Sequence, residues 1–294
     1  MSELPGYPWE PRRHEGMAYV DEGTGDPVLL LHGEPTWSYL YRRVIPPLAE
    51  VARVVAPDFY GFGRSDKPAD QAWYSYDRHV ASIHALVEAL DLRRITVVVQ
   101  DWGGPIGMRV ATESPERFDR LVVLNTAIGA GRMPEVWLRF RELMRHIGTD
   151  VQPSRLVRIS CVRPVDEDVL DAYDWPYPDA ASKAGVVAFP ELVPAEPEHP
   201  NVPAMRQVRD AMSRWEKPTL VLFGDSDPIF PPTAAERMAE LIPGAGPPEL
   251  VESAGHLVQE DAGEEHGDLI PHLARLKAAF DPNGILNPGK VLRA

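Results

Sequence analysis

The sequence contains a single cysteine, Cys161, among 294 residues, so no disulfide can form within the chain. No apolar run approaches the roughly 18 residues that a membrane-spanning helix needs. The first ten residues, MSELPGYPWE, lack the basic and apolar stretches of a signal peptide. We therefore expect a protein that is dissolved in the cytoplasm and does not enter a membrane.

Basic runs are missing as well, and 44 acidic against 30 basic residues give a formal net charge of −14. This charge repels phosphate backbones, which argues against nucleic acid as a partner. The histidines and acids show no metal-ligand spacing such as H-E-x-x-H. We therefore expect no bound metal and no nucleic acid.

Short runs rich in β-branched residues alternate with amphipathic stretches, and the apolar residues of the stretch at 75–90 recur at helical spacing. Continuous apolar strands separated by helices predict a mostly parallel sheet with helices on both faces, an α/β fold. The predicted strands are PVLLLHG (27–33), RVVAPDF (53–59), RITVVVQD (94–101), RLVVLN (120–125), PTLVLFGD (218–225) and ELVES (249–253).

The alternation stops after Asn125 and resumes at Pro218, and the gap holds possible helices and the proline-dense stretch 189–203. We predict an inserted cap at 129–214 and a core formed by 1–128 and 215–294. Open parallel sheets bind ligands at the carboxyl ends of their strands, so such a cap would cover the binding site.

The stretch VVVQDWGGP (97–105) ends a predicted strand with Asp101 and Trp102, followed by two glycines. This is where a nucleophile elbow places its reactive residue, although Val99 departs from the first glycine of G-x-S-x-G. The alternative role for Asp101 is to cap the helix that begins near Gly104.

Later residues favour the catalytic role. An acid in FGDSDPIF, either Asp225 or Asp227, follows one strand, and His256 in SAGHLVQE follows the last. Nucleophile, acid and base then occur in the chain order of α/β-hydrolases. The turn LHGEPTW can aim the Glu34 amide at the same pocket, where the Trp102 amide would complete an oxyanion hole.

An aspartate nucleophile suits attack on an alkyl carbon, because the resulting ester can be hydrolysed by a water that His256 activates. The leaving group then needs a donor, and the indole N–H of Trp102 stands beside the nucleophile. These residues indicate transfer of an alkyl group to water.

The segments LHGEPTWSYLYRRVIPPLAE, VVAPDFYGFGRSDKP, VVVQDWGGPIG and SAGHLVQE closely resemble haloalkane dehalogenases with the HGEPTW turn. The resemblance implies an α/β-hydrolase fold and hydrolysis of small apolar haloalkanes to alcohol and halide. It implies that Asp101 is the nucleophile, His256 the base and Asp227, in preference to Asp225, the acid. The amides of Glu34 and Trp102 would form the oxyanion hole.

The same resemblance makes Trp102 one halide ligand and raises a question about the second. The family takes a cap tryptophan from a Phe-x-x-Trp pattern, whereas VWLRF reads Trp137-x-x-Phe140. Either Phe140 occupies the donor position and Trp137 reaches in from almost one turn earlier, or Trp137 is itself the donor. We take Trp137 as the candidate, with packing in the core as its alternative role.

The stretch LKAAFDPNGILNPGKVL resembles the last residues of flavin-linked oxidases. No flavin-binding region precedes it, so we predict no cofactor and treat about 264–294 as an atypical tail. Leu269, Leu273, Leu276 and Phe280 share one helical face, which could replace the final core helix.

Two other functions stay open. An epoxide hydrolase uses the same fold with two cap tyrosines, for which Tyr173 and Tyr177 are available. A binding protein could keep the pocket with negligible turnover. For each of these functions, including dehalogenation, we expect a monomer.

Overall fold

The computed structural model describes residues 4–129 and 131–262 of the chain. Its strands, in chain order, are β1 (Arg12–His14), β2 (Met17–Gly23), β3 (Pro27–Leu31), β4 (Arg53–Pro57), β5 (Ile95–Gln100), β6 (Phe118–Leu124), β7 (Thr219–Gly224) and β8 (Glu249–Val251). Among the described residues these eight form one sheet in the order β1, β2, β4, β3, β5, β6, β7, β8. Strands β3 to β8 pair in parallel, whereas β2 pairs antiparallel with β1 and β4.

The predicted α/β fold is confirmed, and each of the six predicted segments holds a strand. Strands β1 and β2 were not predicted. The residues of β1 are exposed or half-buried and β2 ends in Asp21, Glu22 and Gly23, so neither shows a clear apolar pattern. Asp21 is nevertheless buried, because Arg53 of β4 donates to both its oxygens at 2.8 and 2.9 Å.

The helices alternate with the strands and then form a continuous series between β6 and β7. In chain order they are α1 (Ile45–Ala49), α2 (Tyr76–Ala89), α3 (Gly103–Glu113), α4 (Glu135–Ile147), α5 (Pro153–Ser160), α6 (Glu167–Asp174), α7 (Ala184–Leu192), α8 (Val202–Met212), α9 (Pro232–Leu241) and α10 (Val258–Asp261). Single 3₁₀ turns lie at Ser38–Tyr41, Gln71–Trp73, Pro115–Arg117, Gly148–Asp150 and Ala181–Lys183.

Helix α2 is the predicted helix at 75–90. The Ser75 hydroxyl accepts a hydrogen bond from the Arg78 amide and caps the first turn. Its buried residues recur at helical spacing and pack it onto the sheet. They are Tyr76, His79, Val80, Ile83, Leu86 and Val87.

We refer to α4 to α8 as the inserted helices. They follow β6 directly, before the chain returns to the sheet at β7, as an insertion at this point requires. Helix α5 packs on α6, α4 packs on α7, and α8 contacts α3 of the core. The boundaries of the cap at 129–214 remain a prediction.

The predicted tail at about 264–294, with its proposed apolar helical face, lies outside the described residues. Among the residues that are described, none of the helices is both long and apolar enough to cross a membrane.

Candidate active site

The turn between β5 and α3 presents Asp101 at the carboxyl end of the sheet. Asp101 has φ of +47°, a left-handed conformation that non-glycine residues adopt at an energetic cost. Three hydrogen bonds hold this conformation: the Asp101 amide donates to the Asn125 carbonyl, and the Asp101 carbonyl accepts from the Gly104 amide and the Thr126 hydroxyl. This strained backbone conformation presents the Asp101 carboxylate beyond the end of the sheet.

The two glycines after Asp101 are required by close packing. A Cβ atom on Gly103 would overlap the Leu31 carbonyl at the end of β3, and one on Gly104 would overlap the Thr126 side chain. Helix α3 can therefore begin directly against the neighbouring strands only when these positions carry no side chain. This packing is why the buried strand turns so sharply after Gln100.

Asp227 and His256 extend from the loops after β7 and β8 and meet Asp101 above the sheet. The His256 Nδ1 donates to Asp227 Oδ2 at 2.9 Å, and His256 Nε2 lies 3.6 Å from Asp101 Oδ2. Both Asp227 and His256 are buried. The imidazole thus lies between two carboxylates, one of which it touches directly.

The two candidate acids lie in different surroundings. Besides the imidazole proton, Asp227 accepts hydrogen bonds from Asn125 Nδ2 at 2.8 Å and from the Ile229 amide at 2.7 Å. Asp225 is half-buried and accepts from its neighbour Ser226. The structure therefore places Asp227, and not Asp225, against His256.

The charges of this group shift its pKa values. Burial opposes ionisation of Asp227, but the His256 charge and the hydrogen bonds from His256 and Asn125 outweigh it and lower the pKa of Asp227 to about 2. Burial likewise opposes protonation of His256, yet Asp227 and Asp101 outweigh it and raise the pKa of His256 to about 10. The protonated form of His256 is therefore favoured in this position.

The HGEPTW turn reaches Asp101 from the end of β3. The Glu34 amide donates to Asp101 Oδ1 at 2.9 Å, as the predicted oxyanion hole requires. The amide of Trp102, its other predicted member, donates to none of the described residues. Burial, followed by the nearby Asp101 charge, raises the pKa of the Glu34 carboxyl well above its usual range. Ionisation of Glu34, which would put a second negative charge beside the nucleophile, is therefore disfavoured.

A small cavity of about 60 Å³ opens beside Asp101. Its walls are mostly apolar and come from the core and the inserted helices. The residues that line it are Asp101, Trp102, Pro105, Thr126, Ala127, Gly129, Met133, Trp137, Val193, Pro194, Met205 and Phe230.

The two tryptophans that the sequence suggested for the leaving group, Trp102 and Trp137, both line this cavity and are 6% exposed. Neither indole nitrogen donates a hydrogen bond to any described residue. Phe140 is half-buried and is absent from the described lining of the cavity. Of the two possible registers, the structure brings Trp137 to the site.

Three polar groups of the site were not among the predicted site residues. Asn125 follows β6, donates to Asp227 and accepts from the Gly224 amide at 3.0 Å, joining the loops that carry nucleophile and acid. Gln100 Nε2 lies 3.2 Å from His256 Nε2 and donates to the His256 carbonyl at 3.3 Å. The third is the Glu34 carboxyl group. A polar residue directly after a buried strand was the available signal for Asn125.

The tyrosines considered for an epoxide hydrolase lie elsewhere. The Tyr173 hydroxyl donates to Glu260 at 2.5 Å, and Tyr177 is buried. Neither belongs to the described lining of the cavity beside Asp101. The geometry therefore offers no tyrosine pair to an epoxide oxygen there.

Family models match most of the chain. The model described as alpha/beta hydrolase fold matches residues 26–154 and 174–263. A second, described as the C-terminal domain of FAD linked oxidases, matches residues 259–291, most of which lie outside the described part of the structure.

Several similar proteins are named haloalkane dehalogenases. The chain is 46% identical to a haloalkane dehalogenase of Mycolicibacterium paratuberculosis, covering 86% of each chain. It is 47% identical to a haloalkane dehalogenase of Mycobacterium marinum, covering 87% of this chain and 88% of that protein. The solved structure of a tetrameric haloalkane dehalogenase from Paraglaciecola agarilytica superimposes with a TM-score of 0.84 at 35% identity, covering 88% of this chain and 91% of that one.

Proposed function

The chain belongs to the haloalkane dehalogenase family and is a hydrolase that acts on carbon–halide bonds, and we propose that it does so through an alkyl ester on Asp101. The observation that carries this proposal is the pair of contacts that His256 makes, 2.9 Å to Asp227 and 3.6 Å to Asp101. These contacts support the proposed roles of His256 as the base and Asp101 as the nucleophile.

In the first step, Asp101 Oδ2 attacks the carbon that carries the halogen. A carbon–oxygen bond forms, the carbon–halogen bond breaks, and the halide leaves with the bonding electron pair. Oδ1 is bound by the Glu34 amide, so Oδ2 is the free oxygen. Oδ1 then becomes the carbonyl oxygen of the ester and already has a donor for the negative charge that develops during hydrolysis.

The halide loses its hydration on entering an apolar cavity and needs fixed donors in return. Trp102 and Trp137 line the cavity, and their indole N–H groups have no partner among the described residues. We assign both as halide ligands. The N–H of an indole can donate but not accept, which suits an anion.

In the second step, water attacks the ester carbonyl and gives its proton to His256 Nε2. Esterification removes the Asp101 charge, which is one of the two charges that raise the pKa of His256. Alkylation therefore lowers this pKa and favours the neutral imidazole that acts as base. His256 then returns this proton to the departing oxygen so that the alcohol leaves, and Asp101 keeps one oxygen from water. Asp227 stabilises the imidazolium that exists between the two proton transfers.

The cavity limits the substrate. Its volume of about 60 Å³ and its lining of Met133, Val193, Met205 and Phe230 suit a short haloalkane without charged groups. Water and halide are the other partners.

The predicted monomer and cytoplasmic location remain predictions. One solved relative is described as tetrameric, so assembly is an open alternative for this chain. Light scattering on purified protein would separate the two states.

The test is bromide release from 1-bromoalkanes of increasing chain length, with Asp101→Ala as the blank. We expect release from the shortest members and none above background from the blank. A single turnover in ¹⁸O-water should place the label in the Asp101 side chain. Diol formation from styrene oxide without bromide release would favour an epoxide hydrolase, and a bound but unmodified bromoalkane would favour a binding protein.

A further inference from the structure

The carboxylate of Asp261, the last residue of α10, is buried and bound by backbone amides from two distant parts of the chain. Its oxygens accept from the Val162 amide at 3.0 and 3.1 Å and from the Arg163 amide at 2.8 Å, just after helix α5. They also accept from the Gly255 amide at 2.7 Å, next to the catalytic base. Asp261 is 1% exposed.

A second set of contacts joins the same two segments. The Ser160 carbonyl, at the end of α5, accepts from the His256 amide at 2.8 Å and from the Leu257 amide at 3.4 Å. Gly255 permits this approach, because a Cβ atom there would overlap the Ser160 carbonyl. The backbone on both sides of His256 is thus hydrogen-bonded to residues 160–163 or to Asp261.

We propose that Asp261 is a positioning residue for the base. By binding residues 162 and 163 together with Gly255, it makes the position of α5 determine where the His256 ring lies relative to Asp101. This inference rests on the proposed function, because it assigns His256 to the hydrolysis of the ester.

The two chemical steps should depend on Asp261 to different degrees. Alkylation needs Asp101 and the halide donors, and Asp261 contacts none of them. Ester hydrolysis needs the imidazole at the correct distance from the attacking water, and small displacements of a catalytic group cost large factors in rate. Loss of the Asp261 contacts should therefore slow hydrolysis selectively.

The experiment compares Asp261→Asn with Glu260→Gln in rapid-quench turnover of 1-bromopropane. In Asp261→Asn an amide NH₂ replaces one acceptor and faces backbone N–H groups. Glu260 is the neighbouring buried acid, bound by Arg42 and Tyr173 rather than by the base loop. Glu260→Gln therefore controls for the loss of a buried charge on the same helix.

For Asp261→Asn we expect the bromide burst to stay within about twofold of the parent. Ester hydrolysis should slow on the order of tenfold to a hundredfold, so that the alkyl-enzyme accumulates and is seen by intact mass. The control should not accumulate it. Equal slowing of both steps, unchanged kinetics, or the same signature in Glu260→Gln would overturn the proposal.

Gly255→Ala serves as a second variant should Asp261→Asn fail to fold, because its methyl group pushes the same segments apart from the other side. It should show the same selective slowing. His256→Phe separates the two proposals. If it forms no ester, the ester mechanism is wrong. If it forms one while Asp261→Asn and Gly255→Ala hydrolyse theirs at the parent rate, only the role of Asp261 is wrong.

Discussion

Two parts of the active site, which we call the acid–base wall and the leaving-group wall, differ in how their polar groups are used. On the acid–base wall, Asp227, His256 and Asn125 are joined by side-chain hydrogen bonds. On the leaving-group wall, the indole nitrogens of Trp102 and Trp137 donate to no described residue. Proton transfer requires groups held at fixed distances, whereas a departing anion requires donors that nothing else occupies. The same site meets both needs because different residues serve them.

Two buried histidines, His256 on the acid–base wall and His79 near the leaving-group wall, have pKa values shifted in opposite directions. The pKa of His256 is raised by the carboxylates of Asp227 and Asp101. His79 lies behind Phe189, which packs between it and Trp102 with ring centroids 4.6 and 5.4 Å away. Burial, and then the neighbouring His32, lowers the pKa of His79 to about 3. A neutral histidine there adds no second cation to compete for the halide.

We expect the largest effect from removing the base of the acid–base wall. His256→Phe should lower steady-state turnover by roughly 10⁴-fold or more, because the ester forms but no base activates water. Intact mass after one turnover should show the alkyl-enzyme at one adduct per chain. Steady bromide release at the parent rate would show that His256 is not the base.

A second experiment on the acid–base wall tests which of the two acids, Asp227 or Asp225, supports His256. Asp227→Asn should lower turnover by about 10³- to 10⁴-fold, because the imidazolium loses its buried counter-charge. Asp225→Asn should stay within about twofold, since Asp225 contacts Ser226 and not the base. Steady-state bromide release from both variants checks this. A larger loss in Asp225→Asn would reverse the assignment.

The leaving-group wall should respond more weakly. Trp102→Phe and Trp137→Phe each keep a ring but remove one N–H donor, so each should lower kcat/KM about 10- to 100-fold. Bromide should also inhibit both variants less. Trp175→Phe is the matched control, because Trp175 is 44% exposed and outside the described lining of the cavity. If Trp137→Phe behaves like this control, Trp137 is a packing residue.

The smallest expected effect is on stability and its dependence on pH. Because the pKa of His79 is lowered in the folded protein, neutral His79 stabilises the fold fully above about pH 6.5. This stabilisation is lost as the pH falls towards 3. As the pH falls from 7 to 5, His79 should lower the free energy of unfolding by about 2 kcal/mol. His79→Phe should remove that loss without changing kcat, as urea unfolding at both pH values would test.

The contribution of His256 to stability should depend on pH in the opposite direction. Because the pKa of His256 is raised in the folded protein, protonated His256 stabilises the fold fully below about pH 6.5. This stabilisation is lost as the pH rises through about 10. In urea unfolding between pH 8 and pH 10, His256→Phe should lose less stability than the parent. A parallel decline in both proteins would contradict the raised pKa.

Much of the fold and part of the site could be predicted from the sequence because their signals are local. The apolar runs that form β3 to β8, the helical spacing of α2 and the turn at Asp101 depend on residues within a few positions of one another. The chain order of Asp101, Asp227 and His256 then indicated a hydrolase. Strands β1 and β2 carry no comparable pattern.

By itself, then, the sequence determined the parallel sheet, the elbow that carries Asp101 and the family to which the chain belongs. Only the tertiary structure decided that Asp227 rather than Asp225 meets the imidazole and that Trp137 rather than Phe140 lines the cavity. The Asp261 contacts join residues 98 and 99 positions apart. Such choices depend on which side chains the packed helices and strands bring within hydrogen-bond distance, and no local spacing encodes that distance.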